Sequence, residues 1–241
     1  MTRFLRITLI AACLVALFGC ATKPPTVAQG LEMYDAGEYK KAFETLNKLA
    51  TEGNALAQQA LGVMYQNGQG VNKSENLALY WFRQAAASNN ASAQYLLATM
   101  LEKNIGPSGN LSEAIKWYRL AASNGHPSAQ YQMGQMELKG LHGAAPDPLK
   151  ANYWFGLAAA QGDPQAQLQL GLLLMQGRSG PADRILGFMW IDIAQGLGDN
   201  TTIQIALNAA QSLTPSELKS AKQMSSQCIK QNYQSCSGLT R

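Results

Sequence analysis

The sequence predicts an all-α protein, and three observations support this fold class. An Ala-Gln pair and a tryptophan each recur four times at intervals of 36 or 37 residues, so the chain is built from repeats. The sequence lacks the alternating runs of Val, Ile and Thr that favour strands, whereas Ala, Leu and Gln, which favour helices, are abundant. At 46% hydrophobic and 14% charged residues, the composition is that of a folded protein rather than a disordered one.

Each repeat predicts two amphipathic helices. In the first helix, apolar residues stand at positions i, i+4, i+7 and i+8, which lie on one face of a helix. The clearest examples are Ala57, Leu61, Met64 and Tyr65; Ala93, Leu97, Met100 and Leu101; and Ala166, Leu170, Leu173 and Leu174. The second helix repeats an aromatic pair followed by two alanines: Trp81, Phe82, Ala85 and Ala86; Trp117, Tyr118, Ala121 and Ala122; and Trp154, Phe155, Ala158 and Ala159.

Regularly placed residues predict where these helices end and begin. Gly and Asn readily adopt the left-handed conformation that follows many helices, and the predicted ends are Gly53, Asn89, Gly125, Gly162 and Gly198. Ser, Asn and Asp side chains cap helix N-termini, and the predicted caps are Asn54, Asn90, Asp163, Ser74, Asn110, Asp147 and Asp183. A column of small residues inside the first helices predicts close approach of the partner helix: Gly62, Ala98, Gly134 and Gly171.

The repeated pattern of Ala-Gln, Leu-Gly, the loop Gly68-Gln69-Gly70-Val71, Trp-Phe and Ala-Ala resembles the Sel1-like repeat, a longer-looped relative of the tetratricopeptide repeat. The resemblance implies an α-solenoid of antiparallel helix pairs that forms a right-handed superhelix and acts as an adaptor. It divides the chain into a tetratricopeptide-like helix pair at 28–52, four Sel1-like repeats at 53–197, and capping helices with a tail at 198–241. The loop from Lys103 to Gly109 and the residue Glu137 depart from the family pattern.

The first nineteen residues predict an export signal. Arg3 and Arg6 precede an apolar run from Ile7 to Phe18, about half the ~20 residues that a membrane-spanning helix needs. A buried N-terminal helix is the alternative, but it would show polar residues at helical spacing. Leu17-Phe18-Gly19-Cys20 resembles the lipobox of bacterial lipoproteins, which implies that Cys20 carries a lipid anchor, with residues 20–27 as a tether. The same resemblance implies a periplasmic location, and Ala21 after the cysteine favours the outer membrane.

Two cysteines, Cys228 and Cys236, remain once Cys13 leaves with the signal and Cys20 takes the lipid. In an oxidising periplasm such a pair predicts a disulfide. Eight residues of continuous helix would separate their α-carbons by about 12 Å, beyond the ~7 Å that a disulfide spans. The helix is therefore expected to end between them, with Asn232 as the left-handed stop, and the bridge is expected to lie outside the repeats.

The composition excludes several functional classes. A net charge of +4 is smaller than the strongly basic charge that nucleic-acid-binding proteins use to bind phosphates. The only histidines, His126 and His142, have no ligating residue nearby at a metal-site spacing, which predicts no metal. The sequence has neither a Gly-x-Ser-x-Gly elbow nor a phosphate-binding glycine loop. We therefore expect no catalytic residue, no cofactor and no enzymatic activity.

Two repeated columns could belong either to the core or to a binding surface. The tryptophans stand beside other aromatics at helical spacing, which favours the core over a ligand groove; they are Trp81, Trp117, Trp154 and Trp190. Each glutamine that follows a core alanine is rotated by about 100° from the core face. The column therefore either satisfies loop carbonyls of the next repeat or lines the concave surface and binds a partner; its members are Gln58, Gln94, Gln130 and Gln167.

The leading functional hypothesis is a lipid-anchored periplasmic scaffold that mediates protein–protein interactions in a bacterial envelope assembly. One alternative is a cell-wall hydrolase or a penicillin-binding or β-lactamase-like protein, which turnover of a chromogenic β-lactam or of peptidoglycan fragments would reveal. The other is a non-catalytic glycan or peptide binding module, which would show saturable binding without turnover. The identity of the protein partner does not follow from the sequence.

Overall fold

The computed structural model describes residues 25–103, 111–140, 145–233 and 236 of the 241-residue chain. This part of the chain is helical and contains no β-strand, which confirms the all-α fold class. It divides into a first compact unit that ends at Ser74 and a second that begins at Glu75. The helices are α1 (Val27–Asp35), α2 (Tyr39–Thr51), α3 (Ala55–Asn67), α4 (Glu75–Ala87), α5 (Ala91–Lys103), α6 (Leu111–Ser123), α7 (Pro127–Lys139), α8 (Pro148–Ala159), α9 (Pro164–Gln176), α10 (Arg184–Ala194), α11 (Asn200–Gln211) and α12 (Pro215–Lys230).

The first unit holds α1, α2 and α3. A capping box starts α1: the Thr26 hydroxyl accepts a hydrogen bond from the Gln29 N–H, and the Gln29 side chain accepts one from the Thr26 N–H. Helix α2 packs against both α1 and α3. A Cβ atom on Gly30 would lie 2.7 Å from Cδ2 of Leu46, so the glycine lets α1 approach α2 closely. The buried core of this unit comprises Ala42, Leu46, Ala50, Ala57, Leu61 and Met64.

In the second unit the helices alternate between the first helices of repeats, which are α5, α7 and α9, and the second helices, which are α4, α6, α8 and α10. Each first helix packs on the second helix of its own repeat and on the second helix that precedes it. At Gly134 a Cβ atom would lie 2.5 Å from Cε1 of Phe155. The close helix approach expected from the small-residue column is therefore present at this position.

The predicted helix boundaries are present where the chain is described. All five predicted ends have positive φ: Gly53 at 93°, Asn89 at 60°, Gly125 at 87°, Gly162 at 87° and Gly198 at 69°. Five predicted caps accept a hydrogen bond from the backbone N–H three residues later, at 2.8–3.1 Å: Asn54, Asn90, Asp147, Asp163 and Asp183. Asn110, another predicted cap, lies outside the described residues.

The expectation that the tryptophan column lies in the core holds fully for Trp190 and in part for Trp117 and Trp154, which pack against a core cluster. Trp81, Trp117 and Trp154 are only partly buried, and Trp190 alone is fully buried. The deeply buried aromatic of each pair is the next residue along the chain: Phe82, Tyr118 or Phe155. Adjacent helical residues point about 100° apart, so only one of the two rings can face the middle of the helix interface. The other ring packs at its edge.

The C-terminal segment closes on the last repeat. Helix α12 ends at Lys230, and Asn232 and Tyr233 follow with φ of 49° and 64°. This turn brings Cys228 within 5.2 Å of Cys236 between α-carbons, and the two cysteines form the expected disulfide. The bridge lies beyond the last repeat along the chain, as expected, and both cysteines also belong to one hydrophobic cluster with core residues of α8, α9 and α10.

The predicted leader and Cys20 lie outside the described residues. Among the helices that the structure describes, none combines the length and the apolar character needed to cross a bilayer.

Candidate functional site

The four repeated glutamines are buried rather than displayed. In each, the side-chain amide donates a hydrogen bond to the backbone carbonyl eight residues earlier, in the last turn of the preceding helix, at 3.1–3.3 Å. The pairs are Gln58 with Ala50, Gln94 with Ala86, Gln130 with Ala122, and Gln167 with Ala159. Those carbonyls also accept the N–H of the left-handed residue that ends the helix. The glutamines therefore cap the helix C-termini.

The suggested partner-binding role of these glutamines is consequently wrong. A side chain with no accessible surface cannot contact a partner, and Gln94 is 0% exposed. In two repeats the amide oxygen is also engaged: Gln94 accepts from Asn124 at 2.9 Å, and Gln130 accepts from Gln161 at 2.7 Å. The glutamine side chains do donate hydrogen bonds to backbone carbonyls, as the other interpretation expects. These carbonyls belong to the preceding helix, however, and not to a loop of the next repeat.

The solvent-facing side of the first helices forms the best candidate for a binding surface. The first ten residues of the four first helices contain no Asp, Glu, Lys or Arg. Charge depletion with retained aromatic and amide side chains characterises the centres of protein interfaces. In the second unit the partly exposed residues on this side are Ser92, Tyr95, Leu96, Thr99, Ser128, Tyr131, Gln132 and Gln135. We call this side of α5 and α7 the uncharged face; on α9 the equivalent residues Leu168 and Leu172 are instead packed in a cluster with Ala206 of α11.

In the first unit, one side of α3 lines a groove between α1 and α3. The groove has a volume of about 330 Å³, at the lower end of the range for small-ligand pockets. Its lining is mainly apolar, from Leu31, Leu56, Ala60 and Val63, with Tyr34, Asp35 and Gln59 adding polar groups. Leu56, at the edge of the groove, is 55% exposed. The groove can therefore hold an apolar side chain of a partner.

Sequence reasoning missed this groove, although a signal for it was present. The core stripe of α3 accounts for Ala57, Leu61 and Met64, and all three are buried. Leu56 and Val63 are apolar residues outside that stripe, each one position before a residue of the stripe (Ala57 and Met64) and two turns apart. Apolar residues left over from the core stripe mark a second apolar side of the helix.

In the second unit the uncharged face contains an aromatic cluster around Tyr95. Its ring stacks on that of His126 with centroids 4.5 Å apart, and it lies 5.9 Å from the ring of Tyr118. The Tyr118 hydroxyl donates to Oε2 of Glu102 at 2.6 Å. Burial raises the pKa of Tyr95, and burial together with the Glu102 hydrogen bond raises that of Tyr118. Both phenols therefore stay protonated at neutral pH.

His126 has a structural role in this cluster. Its Nδ1 accepts a hydrogen bond from the Ala129 N–H at 3.3 Å and so caps α7. Burial lowers its pKa below the ordinary value of 6.5, which favours the neutral ring that capping requires. His142 lies outside the described residues. Within the described residues, no group of three or more His, Cys, Asp or Glu is placed to hold a metal ion.

Comparisons with known proteins agree with the repeat pattern. The family described as Sel1 repeat matches residues 55–90, 91–126, 127–163 and 164–194. A Sel1 repeat protein from Oxalobacter formigenes is 31% identical, with a TM-score of 0.69, over 77% of this chain and 76% of that one. No curated protein sequence matches this chain.

Two further solved structures are more distant. A protective antigen present in uropathogenic Escherichia coli strains is 22% identical, with a TM-score of 0.44, over 86% of this chain and 62% of that one. A Sel1 repeat protein from Klebsiella pneumoniae is 21% identical, with a TM-score of 0.46, over 76% of this chain and 90% of that one.

Proposed function

Because this chain belongs to the Sel1 repeat family, whose members are generally non-catalytic scaffolds for protein–protein interactions, we propose that it is a lipid-anchored periplasmic scaffold in a bacterial envelope assembly. Its partner binds the uncharged face of α5 and α7, and the groove between α1 and α3 is a separate contact that takes an apolar side chain. Cys20 carries the lipid, and the outer membrane is the proposed location.

The lack of charge on the first helices is the observation that carries this proposal. Water-facing helix surfaces in globular proteins are normally rich in charged residues, and in this chain the second helices follow that rule with residues such as Arg83, Lys116 and Arg119. Solvation alone does not require one set of helices to exclude charge. Contact with a partner accounts for the depletion on α5 and α7, because charged side chains at the centre of an interface lose their hydration.

The location is tested by replacing the acylated residue. Cys20→Ser is expected to move the protein from the membrane fraction to the soluble periplasmic fraction, because one residue supplies the whole anchor. Cys13→Ser is the matched control, since this cysteine leaves with the signal, and it should leave fractionation unchanged. Retention of Cys20→Ser in the membrane fraction with the mass of the uncleaved chain would overturn the lipoprotein assignment.

The binding face is tested separately by photo-crosslinking in cells that produce the protein. A photoreactive residue at Gln59 in the groove, or at Gln132 on α7, should yield a protein adduct of defined mass. The same residue at exposed Lys219 of α12 is the control. Equal adduct yields at all three positions would show that the uncharged face has no preferred partner.

A further inference from the structure

In the second unit, exposed apolar side chains recur on the outer side of the second helices, away from the first helices. On α8, Leu149 and Tyr153 are 67% and 59% exposed and stand one turn apart. Tyr80 of α4 and Leu120 of α6 are also exposed. A single exposed apolar residue is ordinary, but recurrence on the same side of three helices is not.

The repeat period places these residues on the same side of their helices. Tyr80 and Tyr153 occupy the same repeat position two copies apart, and Lys116 occupies it in the copy between them. In this common register Leu149, the tyrosines and Leu120 stand at positions i, i+4 and i+8, within an arc of about 80°. We call Tyr80, Lys116, Leu120, Leu149 and Tyr153 the outer stripe.

The last repeat shows what covers the same positions within this chain. Met189 of α10 is equivalent to Tyr153, and Ile193 is equivalent to Leu120. Both are buried, Met189 to 1% exposure, in a cluster that includes Cys228 of α12. Helix α12 contacts α10, and the Ser225 hydroxyl donates to Oδ2 of Asp192 at 2.5 Å. An amphipathic helix thus covers this side of α10.

From this internal precedent we infer that the outer stripe of α4, α6 and α8 binds an amphipathic helix of a partner protein, in the way that α12 covers α10. The apolar residues of that helix contact Tyr80, Leu120, Leu149 and Tyr153. This surface is separate from the uncharged face, so the scaffold has two binding sides.

The charges of the stripe define the partner further. Lys116 lies at the centre of the stripe between the two tyrosines, and exposed Arg119 follows it by one turn. Among the described ion pairs of these helices, Arg83 pairs with Glu113 and Lys150 with Asp147, and neither pair involves Lys116 or Arg119. An acidic residue on the partner helix would therefore complement Lys116.

Photo-crosslinking in cells, followed by sequencing of the attached peptide, tests this inference on the full chain. A photoreactive residue at Tyr153 should capture a peptide with apolar residues at i, i+3, i+4 and i+7 and a net negative charge. The matched control is Leu207 of α11, which is 54% exposed but lies outside the stripe. The captured peptide is then synthesised and its affinity measured against purified variants.

Leu149→Gln combined with Tyr153→Gln should weaken binding of that peptide by about tenfold or more, whereas Leu207→Gln should leave it unchanged. Lys116→Glu should weaken it as well. Since the exposed positions contribute little to the core, melting curves should stay close to wild type and exclude unfolding. Three outcomes would overturn the inference: no adduct above the Leu207 control, a captured peptide that is basic or non-amphipathic, or adducts to phospholipid alone, which would assign the stripe to the membrane surface.

Discussion

Replacing Gln94 with glutamate should show how strongly the buried glutamines stabilise the repeats. The side chain is 0% exposed, its Nε2 donates to the Ala86 carbonyl at 3.1 Å, and its Oε1 accepts from Asn124 at 2.9 Å. Gln94→Glu preserves size and shape but removes the donor, so a carboxylate oxygen faces the Ala86 carbonyl without an intervening proton.

The expected loss of stability in the Gln94 variants follows from the burial of this side chain and from the number of hydrogen bonds that it makes. Gln94→Met removes both bonds without adding charge, and at about 1 kcal/mol each it should lower the free energy of unfolding by about 2 kcal/mol. Gln94→Glu also leaves an uncompensated buried charge, for which about 3–5 kcal/mol is typical. At neutral pH the glutamate variant should therefore be the less stable of the two.

The pH dependence separates the charge effect from a packing effect. Burial should raise the pKa of the introduced carboxyl in the folded state above about 4.3, its value in an unfolded chain. The penalty of the buried charge is therefore absent below the pKa of the unfolded state, and it develops as the pH rises through the pKa of the folded state. Protonation supplies a donor for the Ala86 carbonyl, so the glutamate variant should become more stable relative to wild type at acidic pH.

Urea denaturation followed by circular dichroism at pH 7 and pH 5 measures both effects. Gln84→Glu is the matched control, because Gln84 is exposed on α4 and the same change should alter stability by no more than about 0.5 kcal/mol. If Gln94→Glu unfolds at the same urea concentration as Gln84→Glu at pH 7, the capping role of the glutamines is refuted.

Three other outcomes are expected from the same structure. Removing the disulfide with Cys228→Ser and Cys236→Ser together should lower the free energy of unfolding by about 2.5 kcal/mol, the loop-closure entropy of a nine-residue loop. Hydrogen exchange should increase in α10 as well as in α12, because both helices share a hydrophobic cluster with the cysteines. An increase confined to α12 would contradict the shared cluster. Trp117→Ala should lower the free energy of unfolding by about 2 kcal/mol and Phe155→Ala by about 4 kcal/mol, because only the phenylalanine is fully buried. Equal melting temperatures of the two variants would refute this order. Because burial lowers the pKa of His126 in the folded state, stability should fall as the pH drops below 6.5 toward that lowered value; His126→Asn keeps a capping group and should remove this part of the dependence in acid titrations of melting temperature.

The sequence by itself determined the elements of this fold and their boundaries. Apolar periodicity defines each helix, and left-handed stops such as Asn89 and caps such as Asp163 act within a few residues along the chain. Likewise, helix geometry alone requires α12 to end between Cys228 and Cys236, and Asn232 has the positive φ of a left-handed stop. Local conformational preferences are enough to decide such features.

Only the tertiary structure decided the burial of residues at the edge of each apolar stripe and what covers the outer side of each helix. By its position along the helix, each of Gln94 and Trp117 lies near the edge of the apolar stripe. Gln94 is buried because its side chain donates to the Ala86 carbonyl at the end of the preceding helix, whereas Trp117 stays partly exposed. Equally, Met189 and Tyr153 occupy equivalent repeat positions. Met189 is buried where α12 packs on α10, whereas Tyr153 of α8 is exposed. The physical reason is that burial depends on the elements packed around a residue, which come from distant parts of the chain.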